Sequence, residues 1–446
     1  FLFADITPQS VGDLLIEGKT KQVFGVRTDP SLVFVRSKDR ITAGDGAKSH
    51  EMVGKAVLST QTNCALFEFL QSVGVPTHFV GRVGGASHPD ADRSFVAKNC
   101  AMIPIEWVAR RVATGSYLKR HPNVKEGYRF APLKLETFFK DDANHDPFWS
   151  EESLIGARLE ANGLLIDAAR VKQMLEMTKT VFEVIERVWQ TANHALIDMK
   201  IEFGVIDGNG KKEIVVADVI DNDSWRLWPE GDKKLMLDKQ VYRNLDAKDI
   251  DAKAIDTVRA NFAVVAQRTK DLFSSVIRRP LPAPARGQTP EVALVLGSAG
   301  DRAHADAIAG ALREKWGIND VPIVVSSAHR TTARTLDVLA RLQQWPTLRA
   351  IVAIAGLSNG LGPVLGGNAC VPVINSPPVT SLDALSLDIW SSLRMPSGIA
   401  CSTVVGAENA ALAAALVVAT HAPWVWSRVR AQQCNTYVKV LLLDEN

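Results

Sequence analysis

Asp198, Lys200 and Glu202 are the residues of this chain best spaced to do chemistry together. They alternate with Ile197, Met199, Ile201 and Phe203, which is the period of a strand, so the charged set shares one face and the apolar set the other. Asp207-Gly208-Asn209-Gly210 is rich in residues that accept positive φ, and a β-branched run follows from Ile214 to Ile220, which predicts a hairpin over residues 196–221. Pairing about Gly210 places residues whose numbers sum to about 420 opposite each other, and so Glu202 opposite Asp218. Like charges directly opposed destabilise a strand pair, so this register calls for a cation between them. Two carboxylates with a lysine on the same face suit Mg²⁺ carrying nucleotide phosphates. A solvated polar face, with Lys200 bridging Asp198 and Glu202, fits the same residues, and the pattern alone leaves both readings open.

Other clusters gather around this one. Glu17-Gly18-Lys19-Thr20-Lys21 opens a strand with both lysines on one face, able to lie over nucleotide phosphates. Ser37 to Gly46, which includes Asp45, is a dense polar turn. Arg110-Arg111 precedes Gly115-Ser116 by a few residues, and the basic pair is expected to clamp a phosphate from both sides. Later come Gly297-Ser298-Ala299-Gly300-Asp301, then Ser326-Ser327-Ala328-His329-Arg330, then Ala355 to Pro363 with Ser358-Asn359-Gly360. The first is a small-residue turn into a helix, suited to a phosphate. The last lets backbone approach a ligand closely. Each is a common structural pattern by itself; their value lies in occurring together.

The elements that must position these residues fall into two sets. Proline-rich residues 279–290, with Pro280, Pro282, Pro284 and Pro290, read as a semi-rigid linker. Before it, strands and helices mix without a βαβ rhythm: strands within Phe24 to Arg36, an amphipathic helix Val57 to Val73, a longer helix Ala168 to Trp189, the hairpin, and helical spacing over residues 247–276. This reads as an α+β domain over residues 1–278. After the linker, apolar strands (Glu291 to Leu296, Val321 to Val325, Arg349 to Ala355, Val371 to Ile374) alternate with helices (Asp301 to Trp316, Thr331 to Trp345). That rhythm predicts an α/β three-layer domain over residues 291–446, with a flavodoxin-like parallel sheet and ligands beyond the strands' carboxyl ends. The Gly297, His329 and Ser358 segments each follow a strand at that edge.

Composition sets the outer bounds. The chain's 446 residues are too many for a single core. Its 51 basic residues nearly cancel its 49 acidic ones, so no basic field argues for nucleic acid. Five scattered cysteines make neither a disulfide framework nor a zinc site, which points to a reducing, cytoplasmic setting and an oxygen-bound metal. The longest apolar run, Ala410 to Ala419, is shorter than the ~20 residues of a membrane helix. The chain opens FLFADI without methionine, so its native start is expected upstream; with Asp5 and no basic flank, the stretch does not read as a signal peptide.

GSxxD, SAHR and AGxSNGLGP, in that order over Val292 to the C-terminus, resemble the aminoimidazole ribonucleotide (AIR) carboxylases of purine synthesis, in the animal-type branch that takes CO2 directly without ATP or biotin. The resemblance implies that Gly297, Ser298, Asp301, Ser327 and Arg330 bind the ribonucleotide, that His329 shuttles the ring proton, and that Ser358, Asn359 and Gly360 shape the CO2 pocket. A histidine suits that task because its pKa lies near working pH. Arg330 and Leu357 depart from the lysine and arginine usual in that branch. EGKTK, SKDRITAGDG, RRVATGS, HDPFWSEE, DMKIEFG and DNDSWRLW, over about residues 15–276, are similar to the SAICAR synthetases, which couple carboxyaminoimidazole ribonucleotide (CAIR) to L-aspartate with ATP. By that resemblance Lys19, Lys21 and the backbone near Met102 would hold ATP, and Glu202 and Asp218 would hold Mg²⁺. Asp45, Arg110, Ser116, Asp198, Arg226, Lys239 and Arg243 would hold CAIR, with Lys200 catalytic and the His145-Asp146 segment near aspartate. Together the halves resemble a bifunctional family whose members are homo-octamers built through their carboxylase domains. Two rivals remain: an unrelated ATP-dependent ligase joined to a flavodoxin-like domain, and an active ligase half joined to a carboxylase half that only binds nucleotide.

Overall fold

The computed structural model describes residues 6–43, 48–84, 88–208, 210–245, 250–276, 290–379 and 381–443. Two compact units result, Phe1–Ile277 with Arg430–Asn446, and Arg278–Val429. The expected linker lies outside the described residues except for Pro290. The C-terminal stretch joins the first unit, where Arg430 pairs with Glu176 and Glu183 of the helix Ala168–Gln190 at 2.6 and 2.8 Å.

The first unit is α+β. One five-stranded antiparallel sheet runs in the order Val11–Glu17, Lys21–Val26, Leu32–Ser37, Ser94–Lys98, Phe79–Arg82. The helix Lys55–Ser72 packs against it and against the helix Ala252–Val276, where Phe69 meets Phe273 edge-on at 5.1 Å. The expected amphipathic stripe on Lys55–Ser72 is absent: residues on nearly every side of the helix are buried, including Thr62, Asn63 and Glu68. A helix roofed on both sides keeps no solvent face.

The second sheet of this unit is built on one strand, His194–Gly208. Its first half pairs with Trp225–Pro229 on one side and Ile105–Val112 on the other. Its second half pairs with Lys211–Ala217 and with the two-residue strand Ala101–Met102. The expected alternation holds, with Ile197, Met199, Ile201 and Phe203 all buried beside the helix Ala168–Gln190. The hairpin register is one residue off the expected one: Glu202 faces Ala217, because the ladder closes at Gly208 and Lys211. Asp218 lies just past the strand end with φ +62°, a left-handed conformation that costs a non-glycine residue energy and is kept only where surroundings enforce it.

The second unit is a parallel five-stranded sheet in the order Ile323–Val325, Val292–Leu296, Ala350–Ile354, Val373–Asn375, Cys401–Thr403. In chain order that is 2-1-3-4-5, the flavodoxin-like arrangement. Val292–Leu296 and Ala350–Ile354 are buried throughout, as strands covered on both faces must be. Val338, Leu339 and Leu342 pack on Ala293, Val295 and Ile351, while the helices Arg302–Glu314 and Ala407–Ala419 pack on one another. Among the described residues no helix is long and apolar enough to cross a membrane.

Trp107 is fully buried and meets Phe203 edge-on at 5.7 Å, locking Ile105–Val112 to the central strand. Trp107→Ala is expected to destabilise the first unit by about 3–5 kcal/mol, read from urea unfolding followed by far-UV circular dichroism.

Two candidate active sites

In the first unit a cleft of ≈ 410 Å³ opens over the polar face of the central strand, lined by Asp198, Lys200 and Glu202. Asp198 lies opposite Arg110 on one neighbouring strand and Arg226 on the other. Both guanidiniums converge on Oδ2, Arg110 from 2.9 Å and Arg226 through a short hydrogen bond. Arg110 also donates to Glu136 at 2.5 Å and to Ser116 Oγ at 3.4 Å, and Arg120 holds the other Glu136 oxygen at 2.8 Å. A Cβ on Gly115 would stand 2.4 Å from Arg226 Nη2, so only glycine lets that side chain lie where it does. Arg111 is not part of the clamp. Consecutive strand residues face opposite ways, and Arg111 turns to Glu186 on the far side at 2.7 Å.

The other end of the cleft is a lysine-carboxylate lattice. Glu202 accepts from Lys140 at 2.7 Å and stands 3.5 Å from Lys200, which is bonded to Glu106 rather than Asp198. Burial opposes ionisation of Glu202, but Lys200, Lys140 and Lys21 outweigh it and hold its pKa below the usual range. Burial likewise works against the Lys200 ammonium, and Glu106 and Glu202 override it, raising its pKa. Lys21 contacts Asp218, and burial pushes its pKa down to about 8. Glu17 to Lys21 is a hairpin turn, not the opening of one strand: Glu17 pairs with Gln22, so Lys19 sits in the connection and Lys21 begins the next strand. Both still line the cleft.

The slipped register therefore leaves Asp218 at the site by another route. Its left-handed backbone follows the strand, and its carbonyl accepts from His78 Nε2–H at 3.0 Å. His78 is buried, which drives its pKa down to about 3 and keeps it a neutral donor. No group of three or more His, Cys, Asp or Glu able to hold a metal occurs among the described residues. Glu202 and Asp218 suit a hard divalent cation that takes its remaining oxygens from phosphates and water.

A third cluster joins Asp223 of the DNDSWRLW segment and Lys239 to Lys55, which no motif includes. Lys55, buried at the start of its helix, reaches Asp223 Oδ2 at 3.0 Å, and Lys239 reaches the same oxygen at 3.4 Å. Burial acts against the Asp223 carboxylate, yet Lys55 and Lys239 hold it well below the usual range. Burial and then Asp223 push Asp221 the other way, upward. Asp223 Oδ1 is buried without a hydrogen-bond partner and lies in the cleft wall with Lys239 and Arg243. The DxD spacing after the hairpin was the available signal; Lys55, 168 positions away from Asp223, gave none. Met102 pairs with Gly204 and does not line this cleft, and neither does His145 or Asp146. Asp45 lies outside the described residues.

In the second unit the three expected loops meet at the carboxyl edge of the sheet. A Cβ on Gly297 would touch Ala355 at 3.4 Å, and one on Gly360 would stand 2.4 Å from His329 Nε2. Ser298 Oγ accepts from Gly300 N–H at 3.2 Å, shaping the turn that carries Asp301. Ser327 Oγ accepts from the Arg330 amide at 3.4 Å, and His329 and Arg330 are exposed beside it. Ser358 is exposed, whereas Asn359 is a buried brace: its amide donates to Ser392 Oγ at 2.9 Å and accepts from Gly362 N–H at 2.8 Å. Leu357 points outward with φ +55°, its N–H donated to Asp388 at 3.2 Å.

Family models describe the same two halves: SAICAR synthetase matches residues 14–257 and AIR carboxylase residues 291–438. The bifunctional phosphoribosylaminoimidazole carboxylase/phosphoribosylaminoimidazole succinocarboxamide synthetase of Drosophila melanogaster is 47% identical over 442 residues, 99% of this chain and 97% of that protein. The Homo sapiens protein of the same name is 44% identical over 438 residues, 98% of this chain and 97% of its own length. The phosphoribosylaminoimidazole-succinocarboxamide synthase structure from Ehrlichia chaffeensis covers 58% of this chain and 98% of its own, at 24% identity and a TM-score of 0.50, a likeness of fold.

His78 links the Asp218 conformation to pH. Its folded pKa lies below its unfolded value, so its contribution is complete above about 6.5 and is lost as pH falls toward the folded value. The unfolding free energy should therefore drop by up to about 1.4 kcal/mol per pH unit below about 6.5. His78→Gln should remove that component, as measured by denaturant titration of both proteins between pH 5 and 8.

Proposed function

The chain belongs to the bifunctional phosphoribosylaminoimidazole carboxylase/phosphoribosylaminoimidazole succinocarboxamide synthetase family of purine biosynthesis, and from that premise we propose how its residues divide the two reactions. Residues 291–446 carry AIR carboxylation and residues 1–278 carry SAICAR synthesis. The observation that supports the ligase assignment best is the two-ended cleft, with Glu202 and Asp218 among lysines at one end and Arg110 and Arg226 on Asp198 at the other.

The guanidinium end, with Ser116, Lys239 and Arg243, takes the ribonucleotide phosphate of CAIR. The lysine end takes ATP through Lys19 and Lys21, and Glu202 and Asp218 hold Mg²⁺, which neutralises phosphate charge when bound. Lys200, fixed by Glu106 and Glu202, stands between the two ends and directs its ammonium to charge building on the transferred group. A carboxylate is a poor electrophile, so its oxygen first takes the γ-phosphoryl group of ATP, releasing ADP. The amine of L-aspartate then attacks the resulting acyl phosphate and displaces phosphate. Phosphoryl transfer needs cations and positioning more than covalent help, and this cleft supplies both.

In the carboxylase half, AIR takes CO2 directly at its ring carbon without ATP or biotin. His329, laid against Gly360, removes the ring proton as the carbon–carbon bond forms. The arginine-to-leucine departure at Leu357 falls on a side chain 77% exposed, while the loop's shape rests on backbone bonds to Asp388 and Ser391. That arrangement favours a working carboxylase over the degenerate alternative. A cytoplasmic setting accords with five cysteines free of disulfides. A homo-octamer is inferred from kinship.

AIR, bicarbonate, aspartate and Mg-ATP should together yield SAICAR, and omitting ATP should leave CAIR formation intact. Glu202→Gln should cut ligation of supplied CAIR by about 10²-fold or more while sparing carboxylation. His329→Asn should do the reverse, by about 10²–10⁴-fold. A requirement for ATP in CAIR formation, or ATP turnover indifferent to CAIR, would overturn the assignment.

A further inference from the structure

In the second unit, one buried serine ties the carboxyl edge of the sheet to the loop that carries Asn359. Ser392 lies in the short helix Trp390–Leu393, and its carbonyl accepts from Thr403 Oγ1–H at 2.8 Å and from Asn375 Nδ2–H at 3.3 Å. Asn375 and Thr403 end the fourth and fifth parallel strands, so the Ser392 backbone is fixed to the sheet itself. Its hydroxyl reaches the other way and accepts from Asn359 Nδ2–H at 2.9 Å. The neighbouring Ser391 hydroxyl accepts from the Asn359 main-chain N–H at 2.9 Å and stands 3.1 Å from the Leu357 carbonyl. Asn359 is buried, and its side-chain carbonyl accepts from Gly362 N–H at 2.8 Å, so it shapes the loop from behind. The next residue is Gly360, where His329 Nε2 lies so close that no Cβ would fit.

We propose that Ser392 is a positioning residue for carboxylation: by holding the Asn359 side chain it fixes the Gly360 backbone against His329, and with it the CO2 pocket relative to the base. The inference rests on the reading above in which Ser358, Asn359 and Gly360 shape that pocket and His329 takes the ring proton. A buried amide N–H needs a partner, and Ser392 Oγ is the acceptor that Asn359 Nδ2 finds at this place. Without it the loop is free to shift, and a displacement of about 1 Å at a reacting centre can cost on the order of 10²-fold in rate. The contacts of Ser392 run to residues after the third strand and at the ends of the fourth and fifth. The residues assigned to AIR (Gly297, Ser298, Asp301, Ser327 and Arg330) follow the first and second strands. Loss of Ser392 Oγ should therefore be felt by CO2 and by the proton transfer more than by AIR binding. The bland reading is a packing hydrogen bond that merely steadies the sheet edge. It predicts lost stability with no difference between the two substrates.

The test uses the full chain, with ligation of supplied CAIR as the internal measure of intact protein. Ser392→Ala removes the acceptor and keeps the backbone. It should lower kcat/KM for CO2 at saturating AIR about tenfold, change KM for AIR by less than about threefold and leave ligation unchanged. Ser392→Cys, which keeps a weak acceptor, should lose less. Asn359→Ala should lower kcat/KM for CO2 by itself, and adding Ser392→Ala to it should cost less than about twofold more, because the two act as one link. If Ser392→Ala lowers the melting temperature but leaves kcat/KM for CO2 unchanged, Ser392 does not position the loop. The same holds if KM for AIR rises in step with the loss for CO2, or if the two substitutions multiply. If Asn359→Ala itself leaves carboxylation unchanged, the pocket assignment fails and takes this inference with it. Should Ser392→Ala not fold, Ser392→Cys and Asn359→Ala, alone and together, decide by the same criterion.

Discussion

Asp198 between Arg110 and Arg226 is the interaction on which the ligase half depends. The three residues sit opposite one another on three adjacent strands, so one carboxylate sets the register of the middle of the sheet and the shape of the cleft at once. All three are largely withdrawn from water. Buried ion pairs seldom add net stability over apolar packing, but removing one partner strands a buried charge at a cost of several kcal/mol. The triad is therefore better understood as a specification than as glue. It permits one arrangement of two guanidiniums, and Glu136 with Arg120 fixes the plane of one of them.

That arrangement also determines what the cleft lacks. Arg110, Arg226, Lys239 and Arg243 outnumber the carboxylates that touch them, and burial and the Arg226 charge both act against the Arg243 guanidinium. Such a concentration of cations suits anions, which the phosphate-bearing substrate proposed for this cleft would supply. The second unit brings fewer charged groups to its edge, Asp301 and Arg330 among them. Its loops offer backbone groups and small residues, with one histidine laid on a glycine, which suits binding a small neutral molecule such as CO2 beside a ribonucleotide. Two chemistries on one chain thus draw on two kinds of polarity.

How far this could be read from sequence follows from how local each cause is. Strand alternation at residues 197–203 and the parallel rhythm after residue 291 are carried by neighbouring residues, and both appear in the structure. The hairpin register missed by one because its centre was taken at Gly210, whereas the ladder closes between Gly208 and Lys211. Arg111 was misplaced by reading a basic pair as a unit, when a strand must separate it. Cys401–Thr403, the fifth parallel strand, is only three residues long and has no apolar run to announce it. Lys55 could not be found at all, since its partner Asp223 comes close only when the helix Lys55–Ser72 is packed. The segment around His145 was drawn to the site by kinship, and its placement gives that expectation no support.

The glycines of the two sites act differently from what their motifs suggest. A glycine beside a serine in a polar loop is usually taken as room for a phosphate. Gly115 and Gly360 instead make room for protein: each would place a Cβ 2.4 Å from a side-chain nitrogen, Arg226 Nη2 in one case and His329 Nε2 in the other. The two reach this by different means. Gly115 has φ +58°, so both its backbone and its surroundings demand glycine, whereas Gly360 is an ordinary helical conformer and only the imbalance of space excludes a side chain. In both, the glycine is a socket that aims a charged or titratable group by contact from behind. Backbone, the stiffest part of the protein, then adds to what neighbouring side chains fix, Asp198 and Gln240 in the case of Arg226. A site aimed in this way keeps its geometry before substrate arrives, which is what electrostatic preorganisation requires.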